Sequence, residues 1–232
     1  MKYVITLILG MIVGAVLFTL ALIHNPFTGD RRLSPLTFTD AEVISLSYTA
    51  VPAESIAYTN DGESLQRPHP PKVAQLWEPA VKQTSASMAV MHDARGHPAG
   101  IGVKVSSRSE STDLLRGDAI VDSAWYIYLP RHGGLFVGQS ENYWRFLREV
   151  AFPAWRSSAK SWRGTWVGDL TAGPGALGTA YAYGTSGRLE DLEMEAVESL
   201  SVQAFSSDSG FVAAEGRLTI ALPDVDADSR TD

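Results

Sequence analysis

Apolar and polar residues change their rhythm three times along this chain. Residues 3–23, YVITLILGMIVGAVLFTLALI, are apolar on every face and carry neither charge nor proline over 21 positions. About 20 such residues cross a bilayer core as a helix. From Glu42 onward apolar residues recur at every second position, the period of a strand with one buried face. In VISLSYTAV (43–51), Ile44, Leu46 and Tyr48 share that face. The same alternation predicts strands at 54–60, 84–92, 100–106, 119–129, 135–139, 161–172, 176–187 and 216–222. One stretch turns helical: in SENYWRFLREVAFPAW (140–155), Tyr143, Phe146, Leu147, Val150 and Ala151 fall on one face, and Glu141, Arg145, Arg148 and Glu149 on the other. Ser140 is the expected N-cap and Pro153 limits the end.

Residues 189–205, LEDLEMEAVESLSVQAF, fit two elements. Leu192, Met194, Ala196, Leu200, Val202 and Ala204 alternate as a strand broken by Glu198, whereas Leu189, Leu192, Ala196, Val197 and Leu200 suit a helix. The strand is favoured, with a bulge near Val197 and Glu198 absorbing the defect.

These elements predict a mainly β, β-rich α+β fold: a single N-terminal transmembrane helix, then an antiparallel β-barrel or sandwich with one embedded amphipathic helix. The expected divisions are a signal anchor at 1–24, a tether at 25–41, a β-rich globular domain at 42–222 and a disordered acidic tail at 223–232. The apolar stretch is longer than the core of a cleaved signal peptide, and no small-x-small cleavage site follows it. That favours an uncleaved single-pass anchor in the inner (cytoplasmic) membrane, with the C-terminal domain periplasmic or extracytoplasmic. Gly10 and Gly14 form a GxxxG pair, one way for two such helices to pack as a homodimer.

Composition narrows the partners. With only Lys2 charged in the first 23 residues, the rest holds 18 basic against 26 acidic groups, a net of −8. That argues against nucleic acid, which needs a basic surface. The absence of cysteine removes disulfides, thiolate ligands and a thiol nucleophile. No motif calls for a cofactor. Gly173-Pro174-Gly175-Ala176-Leu177-Gly178 has the GxGxxG spacing, but a strand-like run follows it where a dinucleotide site needs a helix. Gly164-Thr165-Trp166 is similar to the GxW signature of the first lipocalin strand, yet too few residues follow for a complete lipocalin barrel. It reads as a tryptophan in a β core.

Two features suggest sites. Trp125, Trp144, Trp155, Trp162 and Trp166 lie within 42 residues and, with Tyr126 and Tyr128, are the candidate wall for an apolar ligand or a lipid surface. Arg145, Arg148, Arg156, Lys160 and Arg163 form a basic cluster among them that suits anionic lipid. In MHDARGHP (91–98), His92 and His97 flank Asp93-Ala94-Arg95-Gly96, whose Asp and Gly suit a type I turn closing a hairpin. The histidines are the candidate metal ligands, although a metal asks for a third ligand. His69 and His132 fall in loops, and the acidic run Glu190, Asp191, Glu193, Glu195 and Glu198 reads as a solvent face. The expected function is a non-catalytic, membrane-anchored envelope protein whose domain binds an apolar small molecule, a lipid surface or an envelope partner. The alternatives are a tethered enzyme using His92, His97 or carboxylates inside a lipocalin-like barrel, and a membrane assembly or scaffold factor.

Overall fold

A computed structural model of the chain describes residues 2–23, 42–51, 58–59 and 84–223. The expected tether, the proline-rich loop with His69, most of the strand expected at 54–60 and nearly all of the acidic tail lie outside these residues.

The apolar run forms helix α1, Lys2–Ile23, long and apolar enough to cross a membrane. Gly10 and Gly14 lie on it with nothing within 4 Å of an added Cβ.

The strands are β1 (Val43–Thr49), β2 (Tyr58–Thr59), β3 (Thr84–His92), β4 (Pro98–Arg108), β5 (Ile120–Leu129), β6 (Gly133–Asn142), β7 (Ser161–Asp169), β8 (Thr171–Gly173), β9 (Ala180–Gly184), β10 (Glu193–Ser206) and β11 (Gly210–Ala221). They pair antiparallel in the order β1-β11-β10-β9-β6-β5-β4-β3, and β3 returns to β1, closing an eight-stranded barrel. Among the described residues, closure rests on one residue pair, Ser47 with His92, whereas the other neighbours pair over runs of residues. β2, β7 and β8 attach to β3, β10 and β6 outside this ring.

Residues 189–205 resolve as the strand. In β10, Met194, Ala196, Glu198, Leu200 and Val202 are all buried, so Glu198 keeps the alternation instead of breaking it. The bulge sits between Val202 and Ala204, where the register against β7 and β11 shifts. The expected helix also moves. Residues 140–142 finish β6, and helix α2 runs from Trp144–Phe146 through a π-helical turn at Leu147–Ala151 to Phe152–Arg156. Asn142 caps its start, accepting the Trp144 N–H at 2.9 Å. Glu141 therefore belongs to a strand, and the helix face assigned to it was the wrong element.

The core has two apolar layers. One is Leu46, Met91, Ile127, Leu129, Leu135, Val137, Leu218 and Ile220 with their neighbours. In the other, Phe146 of α2 packs edge-on against Trp166 and Phe205, with ring centroids 5.5 and 5.2 Å away, above Val150, Leu170, Leu200 and Val202. Gly216 of β11 stands opposite Tyr48 in register, and a Cβ there would run into the Tyr48 ring. The missing side chain is the space Tyr48 occupies.

The outer face is unusually aromatic. Val103, Tyr126, Phe136 and Tyr183 follow one another in register across β4, β5, β6 and β9, with Ile101, Tyr128 and Tyr181 beside them. The five rings are 40% to 52% exposed.

Candidate functional site

The polar residues of the barrel interior gather in one cluster, each delivered by strand alternation. Lys104 comes from β4, Ser123 and Trp125 from β5, Gln139 and Glu141 from β6, Thr171 from β8, Glu198 from β10 and Tyr48 from β1, with Tyr143 from the turn into α2. The Lys104 ammonium donates at 2.7 Å to Glu141 Oε1 and at 2.7 Å to Glu198 Oε1. Both carboxylates are fully buried, while the Lys104 side chain keeps 11% of its surface exposed.

Neutral donors complete both carboxylates. Tyr48 Oη donates to Glu198 Oε1, so Tyr48 and Lys104 share one oxygen. Trp125 Nε1 donates to Glu198 Oε2 at 3.0 Å, and Gln139 Nε2 donates to the same atom. Glu141 accepts from Ser123 Oγ, from Gln139 Nε2 at 2.9 Å and from Tyr143 Oη at 2.7 Å. Thr171 ties the layer to the backbone, donating to Gln139 Oε1 at 2.8 Å and accepting the Glu198 N–H at 2.7 Å.

These partners decide the charges. Burial alone would raise the Glu198 carboxyl, but the Lys104 ammonium and the Tyr48 and Trp125 hydrogen bonds hold it below the ordinary carboxylate value. Burial alone would lower the Lys104 ammonium, but Glu141 and Glu198 more than reverse this and hold it above the ordinary lysine value. The Tyr48 and Tyr143 phenols are pushed well up, by burial first and then by the neighbouring carboxylates. They stay neutral donors. Of the ammonium's three N–H groups, two meet carboxylates, and no described residue accepts the third. The ammonium lies 5.3 Å from the centre of the Trp125 ring. The cluster therefore presents a desolvated ammonium, kept charged by its two carboxylates, as a hydrogen-bond donor.

The residues singled out in the sequence do not converge in this way. Trp125 lies in the cluster, but Tyr126 and Tyr128 point outward from the same strand. Trp166 belongs to the lower apolar layer and donates to Glu149 at 2.8 Å, with Trp162 packed beside it. The indole N–H of Trp144 is buried without a hydrogen-bond partner, and Trp155 is 59% exposed beneath Lys160. The basic cluster is split: Arg145 and Arg148 both pair with Glu149.

The histidine pair sits on the hairpin expected for it. Asp93 Oδ1 accepts the N–H groups of Arg95 and His97, both at 2.9 Å, which together hold its carboxyl below the ordinary range. Gly96 takes φ +81°. His97 reaches Asp93 at 3.7 Å on an exposed edge. Among the described residues, no group of three or more His, Asp or Glu side chains is placed to hold a metal. His92 follows the buried Met91 and turns instead to a groove of about 700 Å³ over the β1–β3 seam, lined also by Ser45, Ser47, Tyr48, Thr49, Gln203 and Arg217.

Sequence reasoning missed Lys104, Glu141 and the inward course of Glu198. The signal available was Glu198 itself, a charge at a position where the strand period calls for an apolar residue. The non-catalytic role is corrected by these findings. Among the described residues the tryptophans enclose no common pocket, and titratable groups do converge inside the barrel.

No family model matches the chain, and no curated protein does. Among solved structures, the chain is similar to a nonspecific heme-binding cyclase that catalyses a [4 + 2] cycloaddition during neoabyssomicin biosynthesis, at 11% identity and a TM-score of 0.38 over 89% of this chain and 74% of that one. It is also similar to the Diels-Alderase AbmU from Streptomyces koyangensis, at 10% identity and a TM-score of 0.36 over 80% of this chain and 70% of that one. Each activity is that protein's own, and at such TM-scores the function of this chain has to be read from its own residues.

Proposed function

We propose that this chain is a β-barrel enzyme acting on a small molecule inside the barrel, with Lys104 as the group that touches the substrate. The observation that carries the reading is the ammonium shared at 2.7 Å by two fully buried carboxylates, with a third N–H that no described residue accepts. Burying three charged groups is a poor way to gain stability, since apolar residues of similar volume generally do as well or better. Perturbed, mutually charged groups in a protein interior are characteristic of working sites.

In this reading Lys104 donates its third N–H to a carbonyl or other oxygen of the substrate and stabilises negative charge that develops there. Glu141 and Glu198 are positioning residues that keep the ammonium charged and aimed. Tyr48, Tyr143, Ser123, Trp125 and Gln139 hold the carboxylates in turn. The helix α1 serves as a membrane anchor, a role supported by its length and composition.

The test is a comparison of purified wild type with Lys104→Gln, each incubated with a cell extract and with a panel of small carbonyl compounds. Mass spectrometry should find at least one compound consumed by the wild type and spared by the variant. Identical profiles from two folded proteins would overturn the assignment.

A further inference from the structure

The outer wall of the barrel across β3, β4, β5, β6 and β9 is a continuous apolar face. Its middle is the aromatic row, with Tyr126, Phe136 and Tyr183 in register and Tyr128 and Tyr181 beside them. Val90 and Ile101, paired across β3 and β4, and Val105 extend it, each 39% to 49% exposed. The segments 86–90, 101–105, 124–128, 134–138 and 180–184 hold one charged residue between them, Lys104, and it points inward. The border is acidic, since Glu193 and Glu195 of β10 stand opposite Tyr183 and Tyr181. A contiguous apolar surface of this extent marks a place that another body covers.

Its size, charge and position fit one occupant. A fully exposed aromatic side chain offers roughly 150–250 Å², so five rings at 40% to 52% exposure present on the order of 450 Å². That is more than half of the ~800 Å² that each partner contributes to a standard protein interface, and the aliphatic flank adds to it. The uncharged face gives a second copy nothing to repel, whereas the glutamates at its border oppose the negative surface of an anionic membrane. We propose that two copies of this chain pair through this face, wall to wall, about a two-fold axis. The face lies on the side of the barrel and not at an end. An axis parallel to the barrel's own therefore brings both β1 starts to the same end and lets both α1 helices enter one membrane. The same axis keeps the Glu193 and Glu195 edges of the two copies on opposite sides of the interface. Anchoring in one plane raises the effective concentration of each copy at the other.

The chain has no cysteine, so a single introduced thiol reports its own position. Asp122→Cys places one at the exposed rim of the face on β5, and Glu215→Cys places one on the exposed side of β11, across the ring from β5. A flexible bismaleimide is applied to the full chain, reconstituted at low density in phosphatidylcholine vesicles, and covalent dimer is read on a denaturing gel. Asp122→Cys should give at least ten times the dimer of Glu215→Cys. Adding Tyr126→Asp and Phe136→Asp should lower that yield at least tenfold with the urea midpoint unchanged, because neither ring belongs to the core. The yield should persist when Gly10→Leu and Gly14→Leu are added instead. Equal yields at the two positions, or loss with the glycine changes alone, overturn the proposal and assign pairing to α1. No dimer from Asp122→Cys overturns it as well, and leaves the face to lipid or to residues 60–83 of the same chain. The comparison of the two thiol positions keeps the face intact, so it decides the matter even where the aspartate variant fails to fold.

Discussion

Lys104 and Glu198 stand 94 positions apart in the chain and meet at 2.7 Å inside the barrel. Neither is tolerable there alone. Lys104→Met should leave two fully buried carboxylates without a counter-charge and cost about 3–5 kcal/mol, measured by urea unfolding. Adding Glu141→Leu and Glu198→Leu removes the charges altogether and should return stability to the wild-type value or above it. A single Lys104→Met variant as stable as the wild type would show that the ammonium does not hold the carboxylates.

The same pairings set the pH dependence. A carboxyl held below its unfolded value contributes stability that is present above that value and lost as pH falls through the folded one. For Glu198, with an ordinary value of 4.5, loss should set in below about pH 4.5. Lys104, Tyr48 and Tyr143 are held above their ordinary values of 10.5, 10.0 and 10.0, so their contribution is complete below those values and fades as pH rises past them. The urea midpoint should therefore fall at both extremes. In Glu198→Gln the acid limb should be shallower, and an unchanged acid limb would remove Glu198 from the account.

Gly216→Ala tests the space made for Tyr48. The new methyl meets the Tyr48 ring, so overpacking should cost about 1–3 kcal/mol. Combining it with Tyr48→Ala should cost less than the sum of the two single changes, because the second removes the clash created by the first. Strict additivity would mean that the two residues do not share that space.

The β3–β4 turn predicts a smaller effect. Gly96 sits at φ +81°, where an added Cβ is strained, so Gly96→Ala should destabilise by about 1 kcal/mol in thermal unfolding. No loss would mean that the turn relaxes into another form.

Strand period and turn chemistry made the barrel legible: the Asp93–Gly96 hairpin, the alternation in β5 and β11 and the strand at 193–206 follow from local rules. The cluster was hidden because alternation fixes which residues share a face, but not which face is inside. In β4 the apolar residues Ile101, Val103 and Val105 share one face, yet Ile101 and Val105 are exposed and Lys104, on the other face, turns inward. Glu141 was obscured differently, since a strand that ends one residue before a helical turn carries both periods at once. Pairing of Lys104 with two carboxylates from distant strands is a property of closure, and no local window contains it.

The barrel carries an aromatic row outside and an ionic cluster within its apolar core, and a substitution scan that includes combined changes would register both. Positions 126, 128, 136, 181 and 183 should accept polar side chains at little cost to abundance, as exposed sites do. At 104, 141 and 198, apolar replacements made together should hold or raise abundance while abolishing the activity proposed for Lys104, so the two scores diverge at those positions.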